Sequence, residues 1–496
     1  MPFEAPNVEL SGIAPELVLS LAALVLLVVD AFLAHVTPTA RSWYAAAFAS
    51  TGVIVAVVFA LSTWGETDLQ MAGSIAVDGF SVFVKVTLAA FGLLTIWLAR
   101  DYLEREDIEE PEFYALVLFA LAGMMLMASA ADLIVLFIAL ETFSLALYVL
   151  VGFRRRSAVG QESSMKYFLL GAFSSAFFLL GIALAYGAAG STNFYAAGPT
   201  GSGLDRFLSS TPATEVGLMV LATGFLIVGL GFKIAAVPFH MWTPDAYQGA
   251  PSPVTGFMAA GSKLAGFAAT LRLLDAVLFP LRWDWRPLLI AVAVATMVVG
   301  SVFAVVQEDL KRLLAYSSIA HAGFILIGVI AANDRGVSGA LFYLATYGVT
   351  VLGAFAVVAV LSGRGEQRVR LTDFKGAFYD RPLLTSALAL FLLSLAGVPI
   401  TAGFVGKVVV FGAAIEAGYA WLAVVGVLAS AIAAFFYLRV MVVMYMQESE
   451  STEQATGLGT LATGVIAIAA IATIIFGLLW GPLINAAEQA TFYAGS

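Results

Sequence analysis

The sequence predicts an all-α polytopic membrane protein with about fourteen transmembrane helices. Hydrophobic residues make up 61% of the 496-residue chain and charged residues only 11%, whereas a soluble domain carries about 25% charged residues to keep its surface hydrated. The apolar residues also form long continuous stretches, each close to the roughly 20 residues that cross a bilayer as a helix. A membrane β-barrel would instead show alternation of apolar and polar residues. These observations together favour a helical bundle in lipid.

The apolar stretches follow one another along the chain with short links between them. We number them as spans 1 to 14, and they cover residues 14–35, 43–64, 79–99, 112–130, 133–152, 162–188, 215–237, 252–277, 287–306, 311–332, 337–361, 383–410, 418–446 and 457–480. Span 1 is not expected to be a cleaved signal peptide, because Glu9 and Glu16 stand where such a peptide needs positive charge. The longest links, 190–214 and 362–382, are too short to hold an inserted soluble domain.

The distribution of basic residues predicts how the chain is oriented in the membrane. If the spans alternate in direction, fourteen Lys and Arg residues lie in the links on one side and five in the links on the other. Cytoplasmic links carry the excess of positive charge. We therefore expect a multi-pass protein of the cell (inner) membrane, with both the N- and C-termini on the outer, periplasmic side.

Several function classes are excluded by composition. The chain has no cysteine and three histidines, so it cannot supply thiolates to an iron–sulfur cluster or a zinc site. We expect it to hold no metal or cofactor of its own. The net charge of −9 argues against a nucleic-acid partner. The sequence shows neither a phosphate-binding loop nor a dinucleotide fingerprint.

Five lysines and one glutamate inside the predicted spans are singled out, because charges in a span are costly and are retained mainly for function. They are Glu141, Lys85, Lys166, Lys233, Lys263 and Lys407. Lys85 and Lys166 are close enough to span ends to extend their ammonium groups to the interface, and we expect this for Lys85, whereas Lys166 is open to either a snorkelling or a functional role. The other four lie deep in their spans. Their alternative role is to form buried ion pairs that only fix helix packing.

Two of these lysines flank predicted helix breaks. In span 7, Lys233 precedes Pro238 and a polar cluster that contains His240, and in span 12, Lys407 follows Pro399 and three glycines. Irregular backbone at membrane depth is tolerated only where it is packed in protein or lines a cavity. Spans 7 and 12 are five apart and so cross in opposite directions, which is typical of an inverted repeat.

On this basis the single transmembrane domain, residues 1–496, divides into four parts. We expect N-terminal helices 1–3 in residues 1–111, a first repeat of spans 4–8 in 112–280, a second repeat of spans 9–13 in 281–446 and the last helix in 447–496. The pairing makes Glu141 of span 5 correspond to His321 of span 10.

The buried charges predict a proton relay rather than a bond-making site. The charge state of a buried lysine depends on whether a carboxylate lies near it. Movement of Glu141 relative to Lys233 would therefore switch that lysine between binding and releasing a proton. Lys263, His321 and Lys407 could then pass the proton along the membrane midplane through water. His240, seven residues after Lys233, could either join this relay or serve helix packing.

Three segments resemble the antiporter-like membrane subunits of respiratory complex I. They are FHMWTPDAYQGAPSPVT from Phe239, DLKRLLAYSSIAHAG from Asp309 and GVPITAGFVGK from Gly397. The resemblance covers essentially the whole chain and is closest to the N-type subunits of NADH–quinone oxidoreductase. Thr243 stands where the L- and M-type subunits usually have leucine, and Lys407 stands where M-type subunits have glutamate. The chain also lacks the long lateral helix of the L-type subunits.

The resemblance implies a function and a set of partners. Glu141 matches the glutamate that pairs with the span 7 lysine, Lys233, and Lys166 matches a further lysine near that pair. Lys263 matches the central lysine and Lys407 the lysine of the second broken helix. The chain would be a proton-translocating subunit of a translocase complex whose FMN, iron–sulfur clusters and quinone belong to other subunits. Its partners would be neighbouring antiporter-like and small membrane subunits and the lipid bilayer.

Two alternatives stay open at this point. A subunit of a multisubunit sodium/proton antiporter or of a membrane-bound hydrogenase would share the fold and the midplane lysines. A purely structural membrane scaffold would use the same charges only as packing ion pairs.

Overall fold

Long helices make up nearly all of the protein. The computed structural model describes residues 9–33, 37–108, 110–196, 201–448 and 459–493, and within these ranges eleven helices are long and apolar enough to cross a membrane. Apolar segments in lipid must satisfy their backbone N–H and C=O groups internally, which an α-helix does. The fold therefore follows from the continuous apolar runs.

The first half of the chain contains a short hairpin and eleven helices. The strands β1 (Asp68–Gln70) and β2 (Ile75–Val77) pair antiparallel, with Asp68 opposite Val77. The helices are α1 (Ala14–Phe32), α2 (Pro38–Ser62), α3 (Gly79–Glu106), α4 (Glu112–Ser129), α5 (Leu133–Val151), α6 (Ala158–Ala189), α7 (Leu204–Ser210), α8 (Gly217–Lys233), α9 (Trp242–Gly249), α10 (Ser252–Phe257) and α11 (Lys263–Leu271). The π-helical segment Met258–Ser262 joins α10 to α11, and a second one, Arg272–Val277, continues α11. We call the whole the α10–α11 element.

The second half is helical throughout its described residues. Its helices are α12 (Arg282–Val305), α13 (Leu310–Ala331), α14 (Asp334–Leu361), α15 (Ala377–Asp380), α16 (Pro382–Ala396), α17 (Ala402–Glu416), α18 (Ala420–Met446), α19 (Thr460–Leu478) and α20 (Gly481–Gln489). Short 3-10 turns at Arg364–Glu366 and Leu371–Phe374 lie in the link between α14 and α15.

All fourteen predicted spans correspond to helices or helix pairs. Spans 1–6 are α1–α6, span 7 is α8, and span 8 is α10 with α11. Helix α9 begins after the predicted end of span 7 at residue 237 and was not predicted. Spans 9–11 are α12–α14, span 12 is α16 with α17, and spans 13 and 14 are α18 and α19. The hairpin and the helices α7, α15 and α20 were not predicted, because each is too short to show a clear apolar period.

The two predicted helix breaks are confirmed. Helix α8 ends at Lys233, and residues 234–241 form an irregular segment, containing Pro238, before α9 begins. Helix α16 ends at Ala396, where Gly397 adopts a left-handed conformation with φ of 88°, and α17 begins after Pro399 and Thr401. A proline removes a backbone donor and clashes with the preceding turn, which accounts for both interruptions.

The order of helices repeats as the sequence predicts. Three uninterrupted helices, a broken pair and one further element occur as α4, α5, α6, α8/α9 and α10/α11, and again as α12, α13, α14, α16/α17 and α18. Five spans separate corresponding helices, so the two sets cross the bundle in opposite directions.

The core of the bundle lies around α13, α14 and the α10–α11 element. In α13 and α14, 94% of the residues in the most apolar stretch are buried, whereas in α1, α2, α6, α12, α18 and α19 fewer than 40% are, as expected for lipid-facing helices. We call the end of the bundle that carries Arg105, Arg154, Arg312 and Arg364 the arginine-rich face. The opposite end, where α1 begins, is the N-terminal face.

Candidate functional site

Three lysines lie buried in the middle of the bundle. Lys233 is the last residue of α8, Lys263 is the first residue of α11, and Lys407 lies in α17. They are 3%, 2% and 5% exposed. An unpaired ammonium buried in an apolar environment is costly, so the groups that each one contacts decide what it can do.

Lys233 lies in an aromatic cage and makes one hydrogen bond. Its Nζ donates to Ser144 Oγ on α5 over 2.7 Å. The Ser144 hydroxyl in turn donates to Leu140 O of its own helix, which leaves its oxygen free to accept. The rings of Phe143 and Tyr148 have their centroids 5.4 and 5.6 Å from the ammonium, a geometry that favours a cation.

Glu141 contacts a serine rather than the lysine that the sequence predicts. The Ser175 hydroxyl of α6 donates to Glu141 Oε1, and the glutamate side chain is half-buried. In the part of the chain that the structure describes, no carboxylate oxygen lies within 4 Å of Lys233 Nζ. Ser144, one turn after Glu141 on the same face of α5, holds the ammonium instead. The expected direct pair is therefore not formed in this structure.

Lys263 follows a π-helical turn and donates to a neighbouring helix. Its Nζ hydrogen bonds the backbone oxygen of Ser318 in α13, and the Tyr347 ring lies 5.5 Å away. Single π turns within α-helices are frequent at functional sites. Every residue from 251 to 274 is buried, so Lys263 has no direct route to lipid or water.

Lys233 and Lys263 are close neighbours through a glycine. A Cβ added at Gly266, one turn after Lys263, would lie 3.4 Å from Lys233 Cβ. The missing side chain lets α11 pack directly on the end of α8. This contact brings the broken span 7 and the central lysine together.

His321 lies on α13 and makes two contacts with tyrosines. Its Nδ1 is 2.9 Å from Tyr343 OH and its Nε2 is 3.3 Å from Tyr437 OH. Tyr437 OH also shares a hydrogen bond with Ser317 Oγ. His321 was predicted from the sequence, whereas the two tyrosines were not, because a tyrosine in an apolar span gives no signal of its own.

Lys407 closes the end of the broken helix α16. Its Nζ donates to Leu395 O over 3.0 Å, to Ala396 O over 2.9 Å and to Ser430 Oγ over 2.5 Å. The last carbonyls of a helix have no partner within it and carry partial negative charge, so the ammonium satisfies them. The Phe324 ring lies 5.0 Å from the same ammonium.

Helix α13 connects the last two lysines. Ser318, His321 and Phe324 follow at intervals of three residues and so lie on one side of the helix. Ser318 contacts Lys263 and Phe324 contacts Lys407, with His321 between them. The predicted residues Lys233, Lys263, His321 and Lys407 are therefore brought into one row.

His240 and Lys166 lie outside this row. His240 is half-buried in the break between α8 and α9, and its buried Nδ1 makes no hydrogen bond among the described residues. Lys166 is exposed on α6 and forms ion pairs with Glu162 at 2.7 Å and Asp245 at 3.0 Å. Lys166 thus pairs with these two carboxylates rather than with Glu141.

Lys85 is buried in an ion pair rather than extended to the membrane interface. Its side chain is 5% exposed, forms an ion pair of 2.8 Å with Glu16 and donates to Gly12 O over 2.8 Å. The expected extension to the interface was wrong, because packing of α1 on the remainder of the bundle places a carboxylate beside the ammonium.

No group of three or more His, Asp or Glu side chains in the described ranges is arranged to hold a metal ion. The chemistry available to the row is therefore that of its amines, imidazole, hydroxyls and carboxylate.

The chain matches known membrane subunits over nearly its whole length. Residues 130–433 match the family model "NADH:quinone oxidoreductase/Mrp antiporter, TM". NADH-quinone oxidoreductase subunit N of Trichlorobacter lovleyi is 42% identical over 484 residues, which cover 98% of this chain and 97% of the relative.

Solved structures agree with this match. A chain of respiratory complex I from Thermus thermophilus with bound aureothin is 35% identical, has a TM-score of 0.79 and is covered to 99%, against 96% of this chain. A chain of the Mrp complex from Dietzia sp. has a TM-score of 0.80 at 23% identity, with 96% of this chain and 97% of that chain covered, and so shares the fold. This chain belongs to the NADH:quinone oxidoreductase/Mrp antiporter family of membrane subunits.

Proposed function

We propose that this chain is the proton-translocating subunit N of an NADH-quinone oxidoreductase. In this proposal Glu141, Lys233, Lys263, His321 and Lys407 form the relay, driven by quinone reduction in other subunits of the complex. The NADH-quinone oxidoreductase relatives, such as the 42% identical subunit N, support the complex to which the chain is assigned. The flavin, iron–sulfur clusters and quinone then belong to the partner subunits.

The observation that carries the relay is the kind of partner that each midplane lysine has. Lys233, Lys263 and Lys407 donate to hydroxyl or backbone carbonyl oxygens. An ammonium and a neutral amine both have N–H groups to donate, so these uncharged acceptors serve either form. A carboxylate partner would instead stabilise the charged form selectively. Lys233 and Lys263, which donate one hydrogen bond each, can thus lose and regain a proton without losing that bond. Lys407 donates three and keeps two of them as a neutral amine.

The row also offers a sequence of steps. A proton that arrives near Glu141 and Lys233 passes to Lys263 across the contact at Gly266. It then passes to His321, which lies one turn after Ser318, and finally to Lys407. Histidine suits the intermediate position because its two ring nitrogens can take up and release a proton on opposite sides. Intervening water would complete the gaps between these groups.

Lys166 and His240 have secondary roles in this proposal. Lys166 lies in an ion-pair network with Glu162 and Asp245 at the arginine-rich face, where it can affect the position of α9. His240, in the irregular segment after Lys233, has an unpaired ring nitrogen available to a proton. Residues 112–280 and 281–446 act as the two inverted repeats that contribute the two halves of the row.

The relay is tested by replacing its central groups in the assembled complex. Lys263→Met and Glu141→Gln are compared with Lys375→Gln, a lysine in a link outside the spans. The complexes are reconstituted into vesicles and given NADH. Vesicles with the control complex should change the pH of their lumen, whereas vesicles with either relay variant should not. A scaffold role for the charges predicts the contrary result, that pumping survives both replacements with the complex intact.

Orientation is a separate part of the proposal. The excess of basic residues in alternate links supports a periplasmic N-terminus. A tag fused to the N-terminus should therefore react with a membrane-impermeant label added to intact cells. Labelling only after the cells are opened would reverse the orientation and the side from which protons enter.

A further inference from the structure

A buried ion-pair cluster lies at the arginine-rich face, outside the row of lysines. Glu366, in the 3-10 turn after α14, accepts from Lys311 Nζ over 2.7 Å, and its side chain is 1% exposed. Arg154 lies 3.7 Å from the same carboxylate oxygen, and the backbone N–H of Ser252 donates to the other oxygen over 2.7 Å. Burial disfavours the Glu366 charge, yet Lys311 and Arg154 lower its pKa to about 2. The Glu366 carboxylate is thus ionised at neutral pH.

The cluster lies at the end of a polar seam that leads to Lys263. Lys311 also donates to Ala250 O, just after α9, over 2.6 Å. Seven residues further along α13, about 10 Å along the helix axis, Ser318 accepts from Lys263. The side chain of Tyr247 of α9 lies beside Ser318. We call the contact between α9 and α13, defined by Lys311, Tyr247 and Ser318, the seam.

The seam is a polar route from the arginine-rich face to the central lysine. The α10–α11 element is buried from residue 251 to 274, so Lys263 cannot be reached from its sides. Along the seam, the Ser318 hydroxyl is buried and lies beside the Tyr247 side chain. It is available to take part in proton transfer between the cluster and Lys263.

Building on the proposed function, we propose that Glu366 is a positioning residue that closes this seam. By holding Lys311 against Ala250, it keeps the arginine-rich end of the seam shut between translocation events. Protons from the arginine-rich face then enter the seam towards Lys263 only when Lys311 leaves the carboxylate.

The surroundings of the pair allow such a movement of one side chain. The loop that carries Glu366 is held on both sides, since Gly365 N–H donates to Glu106 of α3 and Leu371 N–H donates to Glu308 O before α13. The loop can therefore stay in place while Lys311 rotates. Tyr102 OH and Ser252 Oγ are buried beside the cluster without a hydrogen bond and can accept from the displaced ammonium.

A purely mechanical role for the cluster makes a different prediction. A pair that only ties the loop to α13 would affect assembly and thermal stability when removed. It would not affect the proton permeability of complexes that do assemble. Passive proton leak therefore separates the two roles.

The test uses the complete complex in vesicles, without NADH, with a pH difference imposed across the membrane. Glu366→Gln should speed the collapse of this difference by at least about tenfold, because a buried ion pair that favours the closed state is removed. NADH oxidation should continue with fewer protons moved per NADH. Arg364→Gln is the matched control, because Arg364 lies in the same loop in an exposed pair with Asp107.

A second change shows whether the leak passes through the relay. Adding Lys263→Met to Glu366→Gln should restore the slow collapse, since the route ends at Lys263. If Glu366→Gln prevents assembly, Glu366→Gln with Lys311→Met removes both charges at once and should leak in the same way.

Each outcome has one meaning. An unchanged collapse rate in assembled Glu366→Gln complexes would overturn the closing role. A leak that persists with Lys263→Met would place the route elsewhere and overturn the seam. Normal NADH-driven pumping by Lys263→Met alone would instead refute the proposed function.

Discussion

The buried ion pair between Arg272 of span 8 and Asp78 at the N-terminal face provides a quantitative prediction. Arg272 lies nine residues after Lys263 in the same element, and its guanidinium is 1% exposed. It binds the Asp78 carboxylate with two hydrogen bonds, of 2.7 and 2.9 Å, and also donates to Ala128 O. Burial opposes the charge of Asp78, but Arg272 and backbone N–H groups lower its pKa below the usual value. We consider the replacement Asp78→Ala.

The structure gives the size of the effect. Removing one partner of a buried ion pair leaves an uncompensated charge, which costs about 3–5 kcal/mol. Asp78 also caps α3 by accepting from Ser81 N–H over 2.8 Å, and loss of such a cap costs about 1 kcal/mol. It accepts further from Tyr493 N–H over 2.9 Å, which ties the C-terminal segment to α3. The sum for Asp78→Ala is a loss of at least about 4 kcal/mol, a large part of the stability of a typical protein.

Thermal unfolding of the purified complex measures this loss. Asp78→Ala should strongly lower the temperature at which this subunit dissociates or aggregates, and Asp78→Ala with Arg272→Met should recover much of it, because no charge is then left unpaired. Glu416→Gln is the control, since its pair with Arg335 is exposed and is worth less than about 1 kcal/mol. A loss for Asp78→Ala no larger than for Glu416→Gln, or no recovery in the double variant, would refute the reasoning.

Two further predictions concern Glu366 and Tyr437. Since the pKa of Glu366 is lowered to about 2 from its usual 4.5, its ion pair contributes fully above pH 4.5 and is lost as the pH falls towards 2. The difference in unfolding temperature between wild type and Glu366→Gln should therefore shrink on acidification from neutral pH to about pH 3; a constant difference would contradict this. Tyr437→Phe removes the partner of Ser317 Oγ and of His321 Nε2, at a cost of about 1–3 kcal/mol. It should reduce the protons pumped per NADH, measured against Tyr445→Phe near the end of the same helix, and equal pumping by the two variants would exclude Tyr437 from the row.

Much of the fold could be predicted from the sequence for a physical reason. Lipid cannot satisfy backbone polar groups, so a continuous apolar run of the right length must form a helix across the membrane. The same constraint made the breaks at Pro238 and Pro399 predictable, because proline interrupts a helix locally whatever surrounds it. The positions of the buried lysines then followed from their depth within each span.

The partners of those lysines could not be predicted in the same way. Glu141 and Ser144 lie one turn apart on α5, so a small rotation of that helix decides which of them meets Lys233. The Glu16 partner of Lys85 depends on how α1 packs on α3, two helices apart in the chain. Sequence reasoning gives the depth of a residue along its own helix, whereas contacts across helices depend on rotation and packing that depth does not determine.

The buried charges divide into two kinds according to their depth. Near the N-terminal face, Lys85 and Arg272 have carboxylate partners, and near the arginine-rich face Lys311 has one. The lysines of the row between them have hydroxyl and carbonyl partners. A group that must change protonation gains from a neutral partner, because its hydrogen bond survives the change. A group that must hold helices together gains from an opposite charge, because separation leaves a buried ion unpaired. The ionic pairs at both faces thus fix the ends of the helices, and the proposed relay can change its charges between them without moving those ends.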